Sequence, residues 1–96
     1  MKFFTIKELT KSDVAIRKGI SNTPSEQELK NLVDLVENIL DPLREAYGEP
    51  IVVTSGYRCD RLNKLVGGSI TSQHRSGQAA DIRTLKDTVE ENKKLF

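Results

Sequence analysis

The order of sequence signals predicts an α+β fold, a small antiparallel sheet packed against a long helix in the N-terminal half. Three observations carry this. Apolar residues recur at helical spacing through Leu29, Leu32, Val33, Val36, Leu40, Leu43 and Tyr47. A β-branched run, Ile51-Val52-Val53-Thr54, follows directly after Pro50. A second short strand signal, Ala79-Ala80-Asp81-Ile82-Arg83, comes only after a glycine-bearing interval.

Phe3 to Thr10 is apolar enough to pack and short enough to read as a strand or an arm. Ser12 caps a short helix over residues 13–19, closed by Gly19. Thr23-Pro24-Ser25-Glu26 reads as a capping box with proline at the first helical position, opening the long helix. Pro42 lies inside that helix, where it removes a donor and crowds the preceding turn. A kink over residues 38–42, or a restart with Asp41 as cap, is expected, and Gly48 ends the helix. The loop Ser55-Gly56-Tyr57-Arg58 leaves the first strand. A short helix over residues 60–66 ends at Gly67-Gly68. In the second strand Ala79 and Asp81 share one face, Ala80 and Ile82 the other. Residues 87–96 read as a polar helix with Val89 and Phe96 as its apolar contacts.

Ninety-six residues make one domain, residues 1–96, and 36% hydrophobic with 30% charged side chains is a globular composition. The net charge of +1 gives no reason to invoke nucleic acid. Charge is uneven, however. Residues 57–83 carry Arg58, Arg61, Lys64, Arg75 and Arg83 against Asp60 and Asp81, so this part favours an anionic group. The N-terminus has no apolar run of signal-peptide length, and no membrane span is expected. Cys59 is the single cysteine, which excludes an intrachain disulfide, and its charged neighbours read as a surface turn with a free thiol.

The chemistry concentrates in Ser72-Gln73-His74-Arg75-Ser76-Gly77-Gln78-Ala79-Ala80-Asp81, which holds the only histidine. Imidazole and carboxylate suit Zn²⁺. Gly77 lets the loop fold back so that His74 can approach Asp81 on its strand. A catalytic zinc takes three protein ligands and leaves a position for water, so these two make half a site. Such an ion polarises a carbonyl and acidifies its water. Hydrolysis also needs a base and a donor for the oxyanion, for which Arg58 is the candidate. Ser72 is placed either to hydrogen-bond substrate or to cap the loop. Spacing alone leaves open an ordinary His–Asp pair that orders a loop.

The wider pattern is more specific. Ser55-Gly56-Tyr57-Arg58, Leu62-Asn63, Val66-Gly67-Gly68 and Ser72-x-His74-x-x-Gly77-x-Ala79-x-Asp81 together resemble the M15 family of zinc D-Ala-D-Ala carboxypeptidases. Phage endolysins and D,D-dipeptidases fall in the same wider group. The likeness extends back through Ile51-Val52-Val53 and Asp41-Pro42-Leu43-Arg44 to Phe4-Thr5-Ile6-Lys7-Glu8-Leu9, most of the chain. The resemblance implies a hedgehog/D,D-peptidase fold, with His74 and Asp81 as two zinc ligands. It implies Arg58 as catalytic donor or substrate anchor, and Ser72 and Tyr57 as substrate contacts. The substrate implied is a peptidoglycan stem peptide cut at or near a D-amino acid, with action in the cell wall or periplasm.

In that family a third ligand, a histidine on a later strand, follows an acidic general base. Glu90 and Glu91 are followed by no histidine. The expectation is therefore an incomplete domain, truncated at the C-terminus and weak or inactive as a catalyst, whose exposed sheet edge offers a route to self-association. The alternative is a non-catalytic module that binds a peptidoglycan peptide or a partner.

Overall fold

Thr5 opens the first helix, α1 (Ile6–Thr10), with a reciprocal box: its hydroxyl accepts from the Glu8 backbone while the Glu8 carboxylate accepts from the Thr5 N–H. The expected strand or arm is thus a short helix, because a local cap satisfies donors that a lone strand would leave open. The computed structural model describes residues 1–95. The expected contact of Phe96 lies outside them.

Ser12 caps α2 (Asp13–Lys18), which ends at left-handed Gly19, as the sequence predicts. The long helix starts two residues later than expected. Its cap is Ser25, paired reciprocally with Glu28, so that α3 runs from Glu26 to Leu35. Glu28 also accepts from the Tyr57 phenol at 3.0 Å, a tertiary contact that only this register provides.

The helix widens into a π turn over Val36–Leu40, where the Asp41 N–H reaches the Val36 carbonyl, and continues as α4 (Asp41–Tyr47) to left-handed Gly48. A widened turn relieves the crowding that Pro42 would impose on the preceding carbonyls. Asp41 does not cap its own helix. Its buried carboxylate accepts from the Lys2 N–H at 2.6 Å and the Phe3 N–H at 3.0 Å, which ties the N-terminal arm across the helix. The Phe3 ring lies 4.6 Å from the Arg44 guanidinium.

Strand β1 (Ile51–Ser55) and strand β2 (Asp81–Thr84) form a two-stranded antiparallel sheet. The register pairs Ile51 with Thr84 and Val53 with Ile82, then shifts so that Ser55 faces Asp81. This irregularity sits at the end of the sheet where Asp81 projects, a common place for a bulge to re-aim a side chain. Between the strands lie α5 (Asp60–Leu65) and a 3₁₀ turn (Gln73–Ser76).

Leu9, Leu32, Val36, Leu40, Ile51 and Tyr57 belong to one buried cluster, so the sheet closes on the long helix as expected. Cys59 packs against that cluster with its thiol free, rather than standing on a surface turn. The last segment forms α6 (Val89–Asn92) and a 3₁₀ turn (Lys93–Leu95). Val89 is 73% exposed there, and Leu95 makes the buried contact in its place. No described helix is long and apolar enough to cross a membrane.

Candidate metal centre

The short turn that carries His74 is held at both ends. The Ser72 hydroxyl accepts from the His74 N–H at 3.3 Å, and left-handed Gly77 (φ 75°) closes the turn. A side chain at Gly77 would stand 2.6 Å from the Glu28 carbonyl and 3.0 Å from Leu32, so only glycine lets the turn lie against α3. The turn therefore sits at a fixed height over the end of the sheet.

His74 is then oriented through its ring. Nδ1 lies 2.7 Å from the Gly56 carbonyl oxygen. A carbonyl only accepts, so Nδ1 carries a proton, and Nε2 is the nitrogen left to offer a lone pair to a metal. Nε2 faces Asp81 Oδ2 at 3.6 Å. That is too long for a direct hydrogen bond. It is close to the roughly 3.3 Å that separates two ligands on a tetrahedral zinc, given bonds of about 2.0–2.1 Å. The His74 side chain is 12% exposed and that of Asp81 64%, so the pair opens to solvent on the aspartate side.

Both groups fit a zinc ion, and the Nδ1–H bond to a carbonyl is the usual outer support of a zinc-bound histidine. Among the described residues, no group of three His, Cys, Asp or Glu side chains gathers around a common point. His74 and Asp81 are thus two metal-compatible side chains that stand together.

Arg58 and Ser72 lie beside this pair. The Arg58 N–H donates to the His74 carbonyl at 2.9 Å. Its guanidinium reaches the Ser72 hydroxyl at 3.4 Å, while its Nε is enclosed without a partner. Arg58 also lines a cleft of about 350 Å³ together with Lys11, Asp13, Val53, Thr54 and Ser55. Ser55, at the rim of this cleft, is the strand partner of Asp81, while His74 and Asp81 themselves are not among its lining residues. Arg58 and Lys11 leave it with a positive excess over Asp13, suited to an anionic end group.

Tyr57 lines the same cleft but is largely enclosed. It is 4% exposed, and its phenol donates to Glu28. Burial, followed by the Glu28 carboxylate, pushes its ionisation well above that of a free phenol. It builds the wall beneath the site. On the outer side, Arg75 Nε pairs with Asp60 Oδ1 at 2.7 Å, which holds the Asp60 carboxyl below its usual range and pins the turn to α5.

Two positions that shape the geometry around His74 were not legible in the sequence as such. The Gly56 carbonyl that orients His74 is backbone, and no side-chain pattern announces it. Asn22, whose carboxamide holds the loop on either side of Arg58, stands in a polar stretch that reads as a turn.

Neither a curated protein nor a solved structure matches the chain. The family model described as Peptidase M15 matches residues 2–95. With that match spanning nearly its whole length and a zinc-compatible His–Asp pair at the end of its sheet, the chain belongs to the peptidase M15 family.

Proposed function

We propose that this chain is the major part of a zinc-dependent peptidase domain of the hedgehog/D,D-peptidase type. It would act on peptidoglycan stem peptides at or near a D-amino acid, in the manner of a D-Ala-D-Ala carboxypeptidase or endolysin. One observation carries the reading: His74 is locked with Nδ1 on the Gly56 carbonyl and Nε2 toward Asp81. Family membership supplies hydrolysis and a peptide substrate as the chemistry to be explained.

In this reading His74 and Asp81 hold the zinc. The ion, when bound, supplies Lewis acidity toward a peptide carbonyl and its water. Arg58 donates to the carboxylate of the substrate or to the charge developing on its carbonyl oxygen. Ser72 keeps Arg58 and the His74 backbone in register and offers its hydroxyl to the substrate. Tyr57 enters as a packing residue. The described residues supply two ligands and no third beside them. The two-stranded sheet leaves open edges among the described residues. A further strand, or a second copy of the chain, would add there.

The test is metal content and cleavage of muropeptides by the intact gene product. His74→Ala and Asp81→Ala are each expected to lose the zinc and the cleavage. Unchanged zinc in both would overturn the assignment.

A second reading, a module that binds the same peptide without cutting it, is favoured by the two-ligand set among the described residues. Titration of the 96-residue chain with stem peptides separates the two. Binding that is indifferent to a chelator supports the module.

A further inference from the structure

The loop that orients His74 is itself held by a residue that no motif includes. Asn22 Nδ2 donates to the Thr10 carbonyl and to the Tyr57 carbonyl, each at 2.9 Å. Its Oδ1 accepts from the Cys59 N–H at 2.8 Å. Both amide protons and the carbonyl are thus engaged, at partners 12, 35 and 37 residues away in the chain.

The three partners are not scattered. Tyr57 and Cys59 bracket Arg58, and Thr10 is the last residue of α1. The adjacent Leu9 carbonyl accepts from the Tyr57 N–H at 2.7 Å, so the end of α1 and Asn22 grip one stretch of backbone together. His74 grips it from the other side, through its ring to the Gly56 carbonyl and through its own carbonyl to the Arg58 N–H. The loop from Gly56 to Cys59 therefore has one course, and Asn22 fixes the half that His74 does not.

We propose that Asn22 is a positioning residue for this centre. Its carboxamide sets the backbone course that aims the Gly56 carbonyl at His74 Nδ1 and holds Arg58 on the cleft. The proposal rests on the reading of His74 as a zinc ligand. Its physical basis is that the orientation of a metal-binding imidazole depends on the acceptor behind it. An acceptor that is a loop carbonyl is only as fixed as the loop.

The test uses the full chain with Asn22→Ala and with Asn22→Asp, which keeps the acceptor for Cys59 but sets an oxygen against two carbonyls. Val36→Ala, a core truncation that removes none of the loop's hydrogen bonds, serves as the control for lost stability. Two quantities are read at about pH 8: affinity for Co²⁺ or Zn²⁺ by titration, and the ¹⁵N shifts of the His74 ring in the metal-free chain. Both Asn22 variants should weaken metal binding roughly tenfold, at the low end for outer-shell groups. Both should also move the ring from a single Nδ1–H tautomer toward a mixture, while Val36→Ala should do neither. Equal effects of Val36→Ala and Asn22→Ala, or none from either Asn22 variant, would reduce Asn22 to a structural residue. If His74→Ala leaves metal affinity unchanged, the zinc reading fails, and the ring shifts alone then decide the role of Asn22.

Discussion

The Gly56 carbonyl oxygen stands 2.7 Å from His74 Nδ1, and this one contact determines which ring nitrogen faces Asp81. The carbonyl is aimed by a backbone that passes so close to α1 that a methyl group on Gly56 would sit 2.2 Å from the Leu9 carbonyl oxygen. Orientation of the histidine and the absence of a side chain at residue 56 are the same fact.

Gly56→Ala is accordingly expected to cost about 1–3 kcal/mol of stability, because backbone rather than a flexible side chain must yield. Metal affinity should fall with it as the carbonyl turns from the ring. Chemical denaturation paired with a zinc titration checks both. Full stability with full affinity would show that the close approach is not obligatory.

Tyr57→Phe separates packing from substrate contact. The phenol donates to a Glu28 carboxylate that also caps α3, so its loss should cost about 1–2 kcal/mol. The KM of the intact enzyme should not change. A raised KM at unchanged stability would return Tyr57 to the substrate side.

Asp41→Ala removes the acceptor of two N–H groups in the N-terminal arm. Hydrogen bonds to a charged partner set the expected loss at about 1.5–3 kcal/mol. Hydrogen exchange should show the Lys2 and Phe3 amides losing protection while the amides of β1 keep theirs. Uniform loss across the chain would mean that the arm is not a separable unit.

The C-terminal segment is clasped to α4 by the Tyr47 phenol, which donates to Glu91, and by Lys94 at 3.0 Å from the same carboxylate. The Tyr47 hydrogen bond, then that of Lys94, holds the Glu91 carboxyl below its ordinary 4.5. A carboxyl that titrates lower when folded binds fewer protons than in the unfolded chain, so its stabilisation is complete above that value. It is lost as pH falls through the folded one. The Glu91 carboxylate in turn pushes the Tyr47 phenol up to about 12, so the phenol's contribution holds below 10 and fades as pH rises toward that value. Glu91→Gln should lower Tm at neutral pH, with the difference closing in acid. A difference that persists unchanged at low pH would exclude the charged clasp.

Much of this was legible because it is local. Gly19 and Gly48 end their helices for the reason the sequence offers, a left-handed φ after an apolar stripe. The β-branched run became β1, and His74 and Asp81 meet as the glycine between them suggests. The sequence also contained the Thr5–Glu8 box, which the two phenylalanines ahead of it masked. Two boxes overlap at the start of the long helix, Thr23–Glu26 and Ser25–Glu28. Choosing between them required knowing that Tyr57, 29 residues on, reaches Glu28. Asp41 and Asn22 lay beyond reach for the same reason. Each satisfies backbone groups that are distant in sequence, and no periodicity encodes such a partner.

The widened turn at Val36–Leu40 bears on how this chain tolerates change in length. Each residue advances an α-helix by about 100°. Deleting one residue within the turn would restore regular α-helical spacing, with Pro42 again crowding the carbonyls before it. Helix α4 would then also be rotated relative to α3, and Asp41 would swing away from the two N–H groups it now serves. The extra residue works as a phase adjuster, setting the azimuth at which the second half of the helix meets the N-terminal arm.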